Sequence, residues 1–289
     1  MCKLSKITYL TILFIFLSNI SHAACLSESK IKEIINGFPN TPITGINGDI
    51  TLEDAYCSQN KYVSVLKNLN GNVIGYKVGF TGKATQDRFK IDKPATAVLF
   101  EHMFIKNGSS INKDFGYRTL IEPDLMMIVK NSNIMKAKNS LEASKYISSI
   151  HPYMELPALQ IAKGEPITGS VIVAINMLAT KMVMGPGVLM QSTPEFIQSL
   201  AKMETIFEDE KGTIIQNSPG SSLMGNPMNV VMWLIEEFNK RGITLKAGDR
   251  LSLGSVGKLF PLSEGNKTYT YTLRGISEIP VKTQITINE

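Results

Sequence analysis

The sequence predicts an α+β fold in which a helical N-terminal cap precedes a larger domain rich in strands. Residues 27–36 and 51–69 carry the spacing of apolar residues that is typical of amphipathic helices. From residue 249 onward, polar and apolar residues alternate as they do in half-buried strands. A chain of 289 residues, 43% of them hydrophobic, can bury a sizeable core, and no repeat or linker divides it. We therefore expect a cap over residues 25–72 and one further domain over residues 73–289.

Residues 1–24 have the features of a secretory signal peptide. Two lysines precede an apolar run over residues 7–17, and small residues then lead to Ala23 and Ala24. The run is too short to span a membrane, and no other long apolar segment follows it. We expect cleavage near Ala23 or Ala24 and an exported protein, periplasmic or secreted, without membrane contact after cleavage. A lipid anchor on Cys25 is disfavoured because the preceding residues fit a lipobox poorly.

Charge and cysteine content restrict the partners and the compartment. The formal net charge is +5, and loss of the leader with its lysines lowers it, so no nucleic-acid-binding surface is expected. Cys2 would leave with the leader, so the mature chain keeps Cys25 and Cys57. In an oxidising compartment these two cysteines form a disulfide or remain thiols, and the sequence favours neither outcome.

The cap is predicted from two helix-start signals. Ser27 or Ser29 can cap the first helix, which precedes a loop rich in proline, glycine and asparagine. Thr51 precedes the second helix, and Asp54, three residues on, completes a capping box. Gly71 follows the last turn and ends this helix.

Residues 73–80 alternate as a strand with a lysine between two glycines. The apolar residues form one face, whereas Gly75, Lys77 and Gly79 share the other face. Because glycine has no side chain, the space around the ammonium group is open to a ligand or to another backbone. A surface lysine that extends past two structural glycines fits the pattern equally well.

Residues 120–129 (LIEPDLMMIV) form the most informative stretch of the chain. Glu122 and Asp124 fall on one face of the predicted strand, and the other face is uniformly apolar. Two carboxylates in an apolar setting repel each other and are costly to desolvate, and a bound cation removes both costs. The alternative is a solvated edge strand, since Pro123 removes a backbone donor.

A third carboxylate, Glu155, follows in a second apolar context. A helix is predicted over residues 139–150 with Ser140 as its cap, and Glu155 then lies on a short strand between Pro152 and Pro157. Carboxylate oxygens without a nearby cysteine suit Mg²⁺ or Mn²⁺ rather than zinc. The three carboxylates therefore suggest a site for a hard divalent cation.

The C-terminal half is predicted to contain one buried amide side chain, two further strands and a helix. Asn176 interrupts an apolar run and needs hydrogen-bond partners, either within the core or on a ligand. Two strands are predicted over residues 201–216 around a lysine-glycine turn. A helix begins at Asn226, which is followed by proline, and ends at Gly242.

Taken together, these segments resemble the fumarylacetoacetate hydrolase superfamily, in its 2-keto-4-pentenoate hydratase branch. The matching motifs occur in the family's order and cover roughly residues 50 to 280. They are DAYCSQ (54–59), GYKVGFTGKATQ (75–86), the segment from Pro94 to Leu99 and Phe100, IEPDLMMIV (121–129), HPYMELPAL (151–159), Asn176, MGNPMNVVMWL (224–234) and LKAGDRLSLGS (245–255). The resemblance implies a mixed β-sandwich or roll with flanking helices, a catalytic domain over residues 73–289, and assembly as a homo-oligomer.

The resemblance also implies the site residues. The metal, Mg²⁺ or Mn²⁺, would be held by Glu122, Asp124 and Glu155. The catalytic residues would be Lys77, Glu122 and His151, although His151 also fits a buried structural histidine. The substrate, a small 2-oxo acid, would be bound by Lys77, Gly79, Gln86, Leu125, Asn176 and Ser255.

The activity implied is the metal-dependent addition of water to an unsaturated 2-oxo acid or its dienol, such as 2-hydroxypenta-2,4-dienoate. Lys77 would be an acid/base group or an electrostatic partner of the enolate, with its pKa lowered by burial. A 2-oxo acid decarboxylase and a C–C hydrolase of the same fold are alternatives. The hydrolase is disfavoured because the mature chain has no histidine before His102.

Some positions that contact the substrate in the family carry different residues in this sequence. Ile175 stands where the family hydratases usually have aspartate, and Val256 and Gly257 stand where a threonine often contacts substrate. A leader peptide is also unusual for these enzymes. These departures motivate a further alternative, an exported small-molecule-binding protein without catalysis.

Overall fold

The computed structural model describes residues 25–262 and 265–289, and within them the chain has the predicted α+β fold. The leader predicted over residues 1–24 lies outside the described residues. The helices are α1 (Glu28–Asn36), α2 (Leu52–Asn70), α3 (Lys83–Phe89), α4 (Ser140–Ser144), α5 (Gly169–Ala174), α6 (Pro194–Lys202) and α7 (Pro227–Arg241). In this part of the chain, no helix combines the length and apolar content that a membrane span requires.

The strands form two sheets. They are β1 (Val73–Gly79), β2 (Ala95–Phe100), β3 (Phe104–Ile105), β4 (Ser110–Asn112), β5 (Leu120–Val129), β6 (Ile147–Leu156), β7 (Lys181–Met184), β8 (Val188–Leu189), β9 (Glu204–Glu208), β10 (Ile214–Pro219), β11 (Arg250–Ser255), β12 (Phe260–Pro261), β13 (Lys267–Arg274) and β14 (Val281–Asn288). The larger sheet has the order β2-β1-β11-β5-β6-β7-β3, with β12 beside β5 and β8 beside β6. The smaller sheet has the order β10-β9-β13-β14-β4.

Alternate residues of β5 and β6 face two separate hydrophobic clusters. Leu125 and Met127 join α7 and the smaller sheet in one cluster. Met126 and Tyr153 join the second cluster, which contains residues of α1, α2 and α5. The larger sheet is therefore covered on both faces, and its central strands are buried. The N-terminal helices predicted as a cap pack on the same sheet face that carries Tyr153.

The predicted helix ends are confirmed where capping signals are present. Ser27 caps α1 by accepting a hydrogen bond from the backbone N–H of Lys30, and Thr51 caps α2 in the same way. Asn226 caps α7 and accepts from the N–H of Met228, and Gly242 ends the helix in the left-handed conformation. Short polar side chains satisfy N–H groups that have no partner within the helix, and glycine allows the reversal at its end.

The helix predicted over residues 139–150 is wrong beyond Ser144. Asn139, rather than Ser140, is the cap of the short helix α4. The following residues form β6, in which Ile147 pairs with Val129 and Ile150 with Met127 of β5. The β-branched residues of this segment favour a strand, and pairing with β5 decides between the two structures.

Two expectations about proline are also wrong. Pro152 lies within β6, opposite Leu125, and does not bound a short strand. Pro123 lies in β5 opposite Met154, although β5 is central to the sheet and not a solvated edge. The irregular pairing of β5 with β11, which shifts between Ser252 and Ser255, accommodates the missing proline donor in the centre of the sheet.

The N-terminal segment is tied to the rest of the cap by a disulfide. Cys25 and Cys57 are bonded, which resolves the alternative that the sequence left open. The backbone N–H of Leu26 also donates to Ser58, and the ammonium group of Lys61 donates to the Leu26 carbonyl. These contacts fix the chain before α1 against α2.

Replacement of Cys57 by serine is expected to lower the free energy of unfolding by about 3 kcal/mol, because the disulfide closes a loop between residues 32 positions apart. Urea denaturation with and without dithiothreitol measures this difference. The reductant should lower the midpoint of the wild type and leave that of Cys57→Ser unchanged. Equal midpoints for oxidised wild type and the variant would contradict the expectation.

Candidate functional site

Four neighbouring strands bring the predicted lysine and carboxylates to one face of the larger sheet. Lys77 of β1 is in register with Ser252 of β11, and the adjacent β5 carries Asp124. Glu122 of β5 lies directly opposite Glu155 of β6. Because side chains alternate along a strand, all of these groups project from the same face. Sheet pairing therefore assembles residues that are distant in sequence: Lys77 and Glu155 are 78 positions apart, and Ser252 and Asp124 are 128 positions apart.

Lys77 is a buried residue, so the interpretation of a surface lysine is wrong. Its exposed fraction is 6%. A Cβ atom on Gly75 would clash with the carbonyl oxygen of Arg250 in β11, and one on Gly79 would clash with the methyl group of Met177. Because the two glycines have no side chains, the backbone of Arg250 and the side chain of Met177 can pack closely against β1 on either side of Lys77.

The ammonium group of Lys77 is paired with Glu155. Nζ donates to both carboxylate oxygens of Glu155, with a distance of 2.6 Å to Oε2, and lies 3.3 Å from the carbonyl oxygen of Met177. Glu155 is fully buried. A buried carboxylate is tolerated when it is paired and hydrogen-bonded, and this contact meets both conditions.

Asp124 is held by its own strand and by β11. Its Oδ2 accepts a hydrogen bond of 2.7 Å from the hydroxyl of Ser252, and its Oδ1 accepts from the backbone N–H of Leu125. Ser255, which is paired with Asp124, donates to the carbonyl of Pro123 at 3.3 Å. Ser252 was not among the predicted residues, although it alternates onto this face in the LSLGS motif together with its strand neighbours.

The three carboxylates and one ammonium group leave this face short of positive charge. Burial, and then the negative charge of Glu155, raises the pKa of Glu122 to about 8. The same causes raise the pKa of Asp124 to about 7. A pocket of carboxyl groups with such raised pKa values would be stabilised by an additional cation.

The pKa of Lys77 is raised, which corrects the expectation that burial lowers it. Burial does act to lower this pKa, but the charges of Glu155 and Glu122 and the hydrogen bond to Glu155 outweigh it. Lys77 is therefore a stable ammonium group in this arrangement. This state suits an electrostatic partner or a proton donor better than a base.

His151 is held within hydrogen-bond distance of protein groups at both ring nitrogens. Nδ1 lies 2.9 Å from the carbonyl oxygen of Gly185, and Nε2 lies 2.8 Å from the hydroxyl of Ser149. Burial lowers the pKa of His151, so the neutral ring is favoured. A Cβ atom on Gly187 would overlap the ring, so glycine provides its space. These contacts describe a structurally fixed histidine, and its catalytic role stays a prediction.

Two predicted substrate-binding residues lie away from the carboxylates. Leu125 projects from the opposite face of β5 into the core, because it alternates with Asp124. Gln86 donates to the carbonyl of Phe80 and lines a surface depression that also contains Leu52 and Ser170. The structure therefore does not place either side chain with the carboxylate pair of β5.

The side chain of Asn176 is hydrogen-bonded to the backbone of β2. Its Oδ1 accepts from the N–H of Val98 and its Nδ2 donates to the carbonyl of the same residue, at 2.8 and 2.9 Å. This is the core hydrogen-bonding that the sequence allowed for a buried amide. Gly79 is covered by Met177, whereas Ser255 remains beside the carboxylate strand. Substrate contact by these residues stays a prediction.

The donor set fits a hard cation in its chemistry, although the donors are not yet gathered around one point. In the described part of the chain, no three acidic, histidine or cysteine side chains converge as a ready metal site. The reason is visible at Glu155, where both oxygens are engaged by Lys77. Glu122, Asp124 and Glu155 still supply three buried or half-buried carboxylates from two paired strands, which are the ligands that Mg²⁺ prefers.

Comparisons with known proteins find hydratases of similar sequence. No family model matches the chain. The chain is 22% identical over 241 residues to a 2-keto-4-pentenoate hydratase of Paraburkholderia xenovorans (strain LB400), covering 83% of this chain and 87% of that protein. It is 25% identical over 222 residues to a 2-oxo-hept-4-ene-1,7-dioate hydratase of Escherichia coli, covering 75% and 82%. These similarities support a place for the chain in the fumarylacetoacetate hydrolase superfamily, in its 2-keto-4-pentenoate hydratase branch.

A solved structure confirms the fold. The 4-oxalocrotonate decarboxylase from Pseudomonas putida G7, complexed with magnesium and adipate, superposes with a TM-score of 0.76 at 17% identity. The match covers 90% of this chain and 96% of the decarboxylase. At this identity the likeness establishes the fold, and the chemistry must be argued from the site.

The departure from the superfamily pattern at Gly257 has a structural explanation. The side chain of Gln216 in β10 occupies the space that a Cβ atom on Gly257 would need. Gln216 Oε1 also accepts a hydrogen bond of 2.7 Å from the N–H of Lys258. The side chain of Gln216, from the smaller sheet, thus occupies the space into which any side chain at position 257 would extend.

We expect Gly75→Ala to destabilise the protein by about 1–3 kcal/mol, because its Cβ atom cannot fit against the Arg250 carbonyl without separating β1 from β11. Gly82→Ala is the matched control, since no atom lies within 4 Å of a Cβ at that position. Thermal unfolding of both variants measures the difference. Similar melting temperatures would show that Gly75 is not needed for this strand contact.

The ordinary pKa of Glu122 is 4.5, and its pKa in the folded protein is about 8. Between these two values, the stability of the metal-free protein should fall as the pH rises. In this window the folded state holds protons that the unfolded chain has released, so unfolding is favoured by rising pH. Melting temperatures in EDTA should show a smaller decline for Glu122→Gln than for the wild type. Glu204→Gln, an exposed acid on β9, should keep the wild-type slope. A wild-type slope in Glu122→Gln would contradict the assignment.

Proposed function

We propose that this chain is a divalent-metal-dependent hydratase that adds water to an unsaturated 2-oxo acid or its dienol. The observation that carries the proposal is the buried group of Glu122, Asp124 and Glu155 beside Lys77 on one sheet face. Buried charges of this kind are costly to maintain, and they occur together where a site uses them. The relatives named above as hydratases support this choice of reaction.

The cation is proposed to be Mg²⁺ or Mn²⁺, held by Glu122, Asp124 and Glu155. The magnesium in the decarboxylase of the same fold supports a hard divalent ion. When bound, such an ion polarises the carboxylate and the 2-oxo group of a substrate as a Lewis acid. The raised pKa values of Glu122 and Asp124 also favour cation binding, because positive charge relieves the repulsion among the carboxylates.

The protein groups around this position have separable roles. Lys77 carries a positive charge where negative charge develops on an enolate oxygen, and it can donate a proton there. Ser252 fixes the orientation of Asp124 through its hydroxyl. Glu122 is partly exposed, whereas Asp124 and Glu155 are fully buried, so solvent and substrate approach from the Glu122 side. Ketonisation moves the proton of the 2-hydroxyl to C5 and makes C4 electrophilic. Water then adds its hydroxyl at C4 and a proton at C3, which gives a 4-hydroxy-2-oxo acid.

One observation favours the alternative of a binding protein without catalysis. Both oxygens of Glu155 are occupied by Lys77, so Glu155 must exchange a strong contact before it can serve a cation. A protein that retained this pair permanently would have the fold and the carboxylates without the activity. The experiment described below separates the two functions.

We also propose that the protein is exported and acts as a homo-oligomer. The Cys25–Cys57 disulfide supports export, since disulfides persist in oxidising compartments. Its position directly after the predicted leader is consistent with cleavage near Ala23 or Ala24. Oligomerisation rests on the family resemblance, and the size of the particle in solution tests it.

The proposed function predicts metal-dependent enolisation. With Mg²⁺, the wild type should catalyse proton–deuterium exchange at C3 of simple 2-oxo acids, followed by NMR, and hydration of 2-hydroxypenta-2,4-dienoate, followed by loss of its ultraviolet absorbance. Both rates should vanish in EDTA. Glu122→Gln should lower them by about 100-fold or more, because it removes a carboxylate ligand without leaving Lys77 unpaired.

The controls separate loss of activity from loss of fold. Glu204→Gln lies on the exposed side of β9 and should retain full rates. Glu155→Gln is a less clean variant, since it also leaves Lys77 buried without its partner. Metal binding without exchange by the wild type would exclude the hydratase and favour the binding protein. Full rates in Glu122→Gln would exclude this metal site.

A further inference from the structure

Tyr153 carries a buried hydroxyl that the protein itself does not use. The residue is fully buried, and its hydroxyl has no hydrogen-bond partner among the described residues. Buried polar groups are normally hydrogen-bonded, because a group removed from water without a new partner is destabilising. Such a group is therefore available to form a hydrogen bond with a ligand where its position allows one.

The strand register places Tyr153 among the carboxylates. Tyr153 lies directly opposite Asp124 in the pairing of β6 with β5, and it precedes Glu155 by two positions on the same face. Opposed residues in an antiparallel pair have Cβ atoms about 4.5–5.5 Å apart. The ring packs against Phe104, with their centroids 6.2 Å apart, and this contact restricts its orientation.

The other donors on this face are already engaged. Lys77 donates to Glu155, Ser252 to Asp124, and Ser255 to the carbonyl of Pro123. An anionic ligand that enters a group of carboxylates requires hydrogen-bond donors to offset repulsion. Among these described side chains, Tyr153 has a donor that is not directed to a protein acceptor.

We propose that the Tyr153 hydroxyl donates a hydrogen bond to an oxygen of the bound 2-oxo acid and so helps to select this class of ligand. The proposal rests on the proposed function for its ligand. A phenol is neutral at physiological pH, so it can approach three carboxylates without forming an ion pair with any of them. Because this hydroxyl has no protein acceptor among the described residues, its proton is available to the substrate, whereas Lys77 donates to Glu155.

Tyr62 provides a matched control within the same molecule. Its hydroxyl is also buried without a partner among the described residues, but Tyr62 lies on α2 and not on one of the strands that carry the carboxylates. An unpaired hydroxyl alone therefore does not identify a ligand contact. The distinguishing observation for Tyr153 is its position opposite Asp124 and beside Glu155.

The first test measures binding of oxalate, a stable dianion that resembles the carboxylate and oxo oxygens of a 2-oxo acid. Calorimetry with Mg²⁺ should show about 10-fold or greater loss of oxalate affinity in Tyr153→Phe, the effect of removing one hydrogen bond to a charged group. The melting temperature should be unchanged or higher, because the lost hydroxyl had no partner in the free protein. Tyr62→Phe should bind oxalate with wild-type affinity.

The second test observes the hydroxyl directly. In protein labelled with ¹³C at tyrosine Cζ, the resonance assigned through Tyr153→Phe should shift on addition of oxalate to the Mg²⁺-loaded protein, and that of Tyr62 should not. A shift on Mg²⁺ alone with none on oxalate would overturn the proposal, as would wild-type oxalate affinity in Tyr153→Phe. Absence of oxalate binding by the wild type would also overturn it.

The tests of the Tyr153 contact and of the hydratase activity can fail independently of each other. If the wild type binds oxalate and shows no enolisation of any 2-oxo acid, the hydratase is excluded while the Tyr153 contact is judged on affinity and on its resonance. If enolisation occurs and Tyr153→Phe binds oxalate normally, the hydratase stands and the Tyr153 proposal fails.

Discussion

The site depends on the buried contact between Lys77 and Glu155. Neither charge could be kept at this depth alone, because the cost of removing an unpaired ion from water exceeds what packing returns. Burial, and then the negative charge of Glu155, raises the pKa values of Glu122 and Asp124, and the single ammonium group of Lys77 does not offset these effects. The same contact therefore makes the arrangement stable and leaves it prepared for a further cation.

The sheet is built to hold this charge cluster. Four adjacent strands contribute one or two polar groups each to a single face, while the opposite face of β5 is fully apolar. Gly75 and Gly79 remove the side chains that would separate β1 from its surroundings at Lys77. Function and stability thus conflict locally, and the hydrophobic clusters on both faces of the sheet offset the cost.

The N-terminal region distinguishes this chain from a bare catalytic domain. A disulfide fixes Cys25 to α2, and α2 contributes buried residues to the cluster that also contains Tyr153. The cap consequently packs on the same face of the sheet as the carboxylates. The hydratase of Paraburkholderia xenovorans shares most of this length at 22% identity, and the decarboxylase of Pseudomonas putida G7 shares the fold at 17% identity.

The sequence by itself determined the elements whose signals are local. The capping residues of α1, α2 and α7, the alternation of β5 and the ordered motifs of the family all follow from neighbouring residues. The carboxylates and Lys77 were accessible in the same way, although α6 was missed despite the cap and proline at Thr193 and Pro194.

Only the tertiary structure decided the features that depend on partners distant in sequence. Residues 147–150 became a strand because β5 pairs with them, and Pro123 lies in a central strand because β11 shifts its register there. The upward pKa shift of Lys77 required the position of Glu155, since burial alone acts in the opposite direction. The unpaired hydroxyl of Tyr153 is likewise invisible in sequence, because hydrogen-bond satisfaction is a property of three-dimensional surroundings.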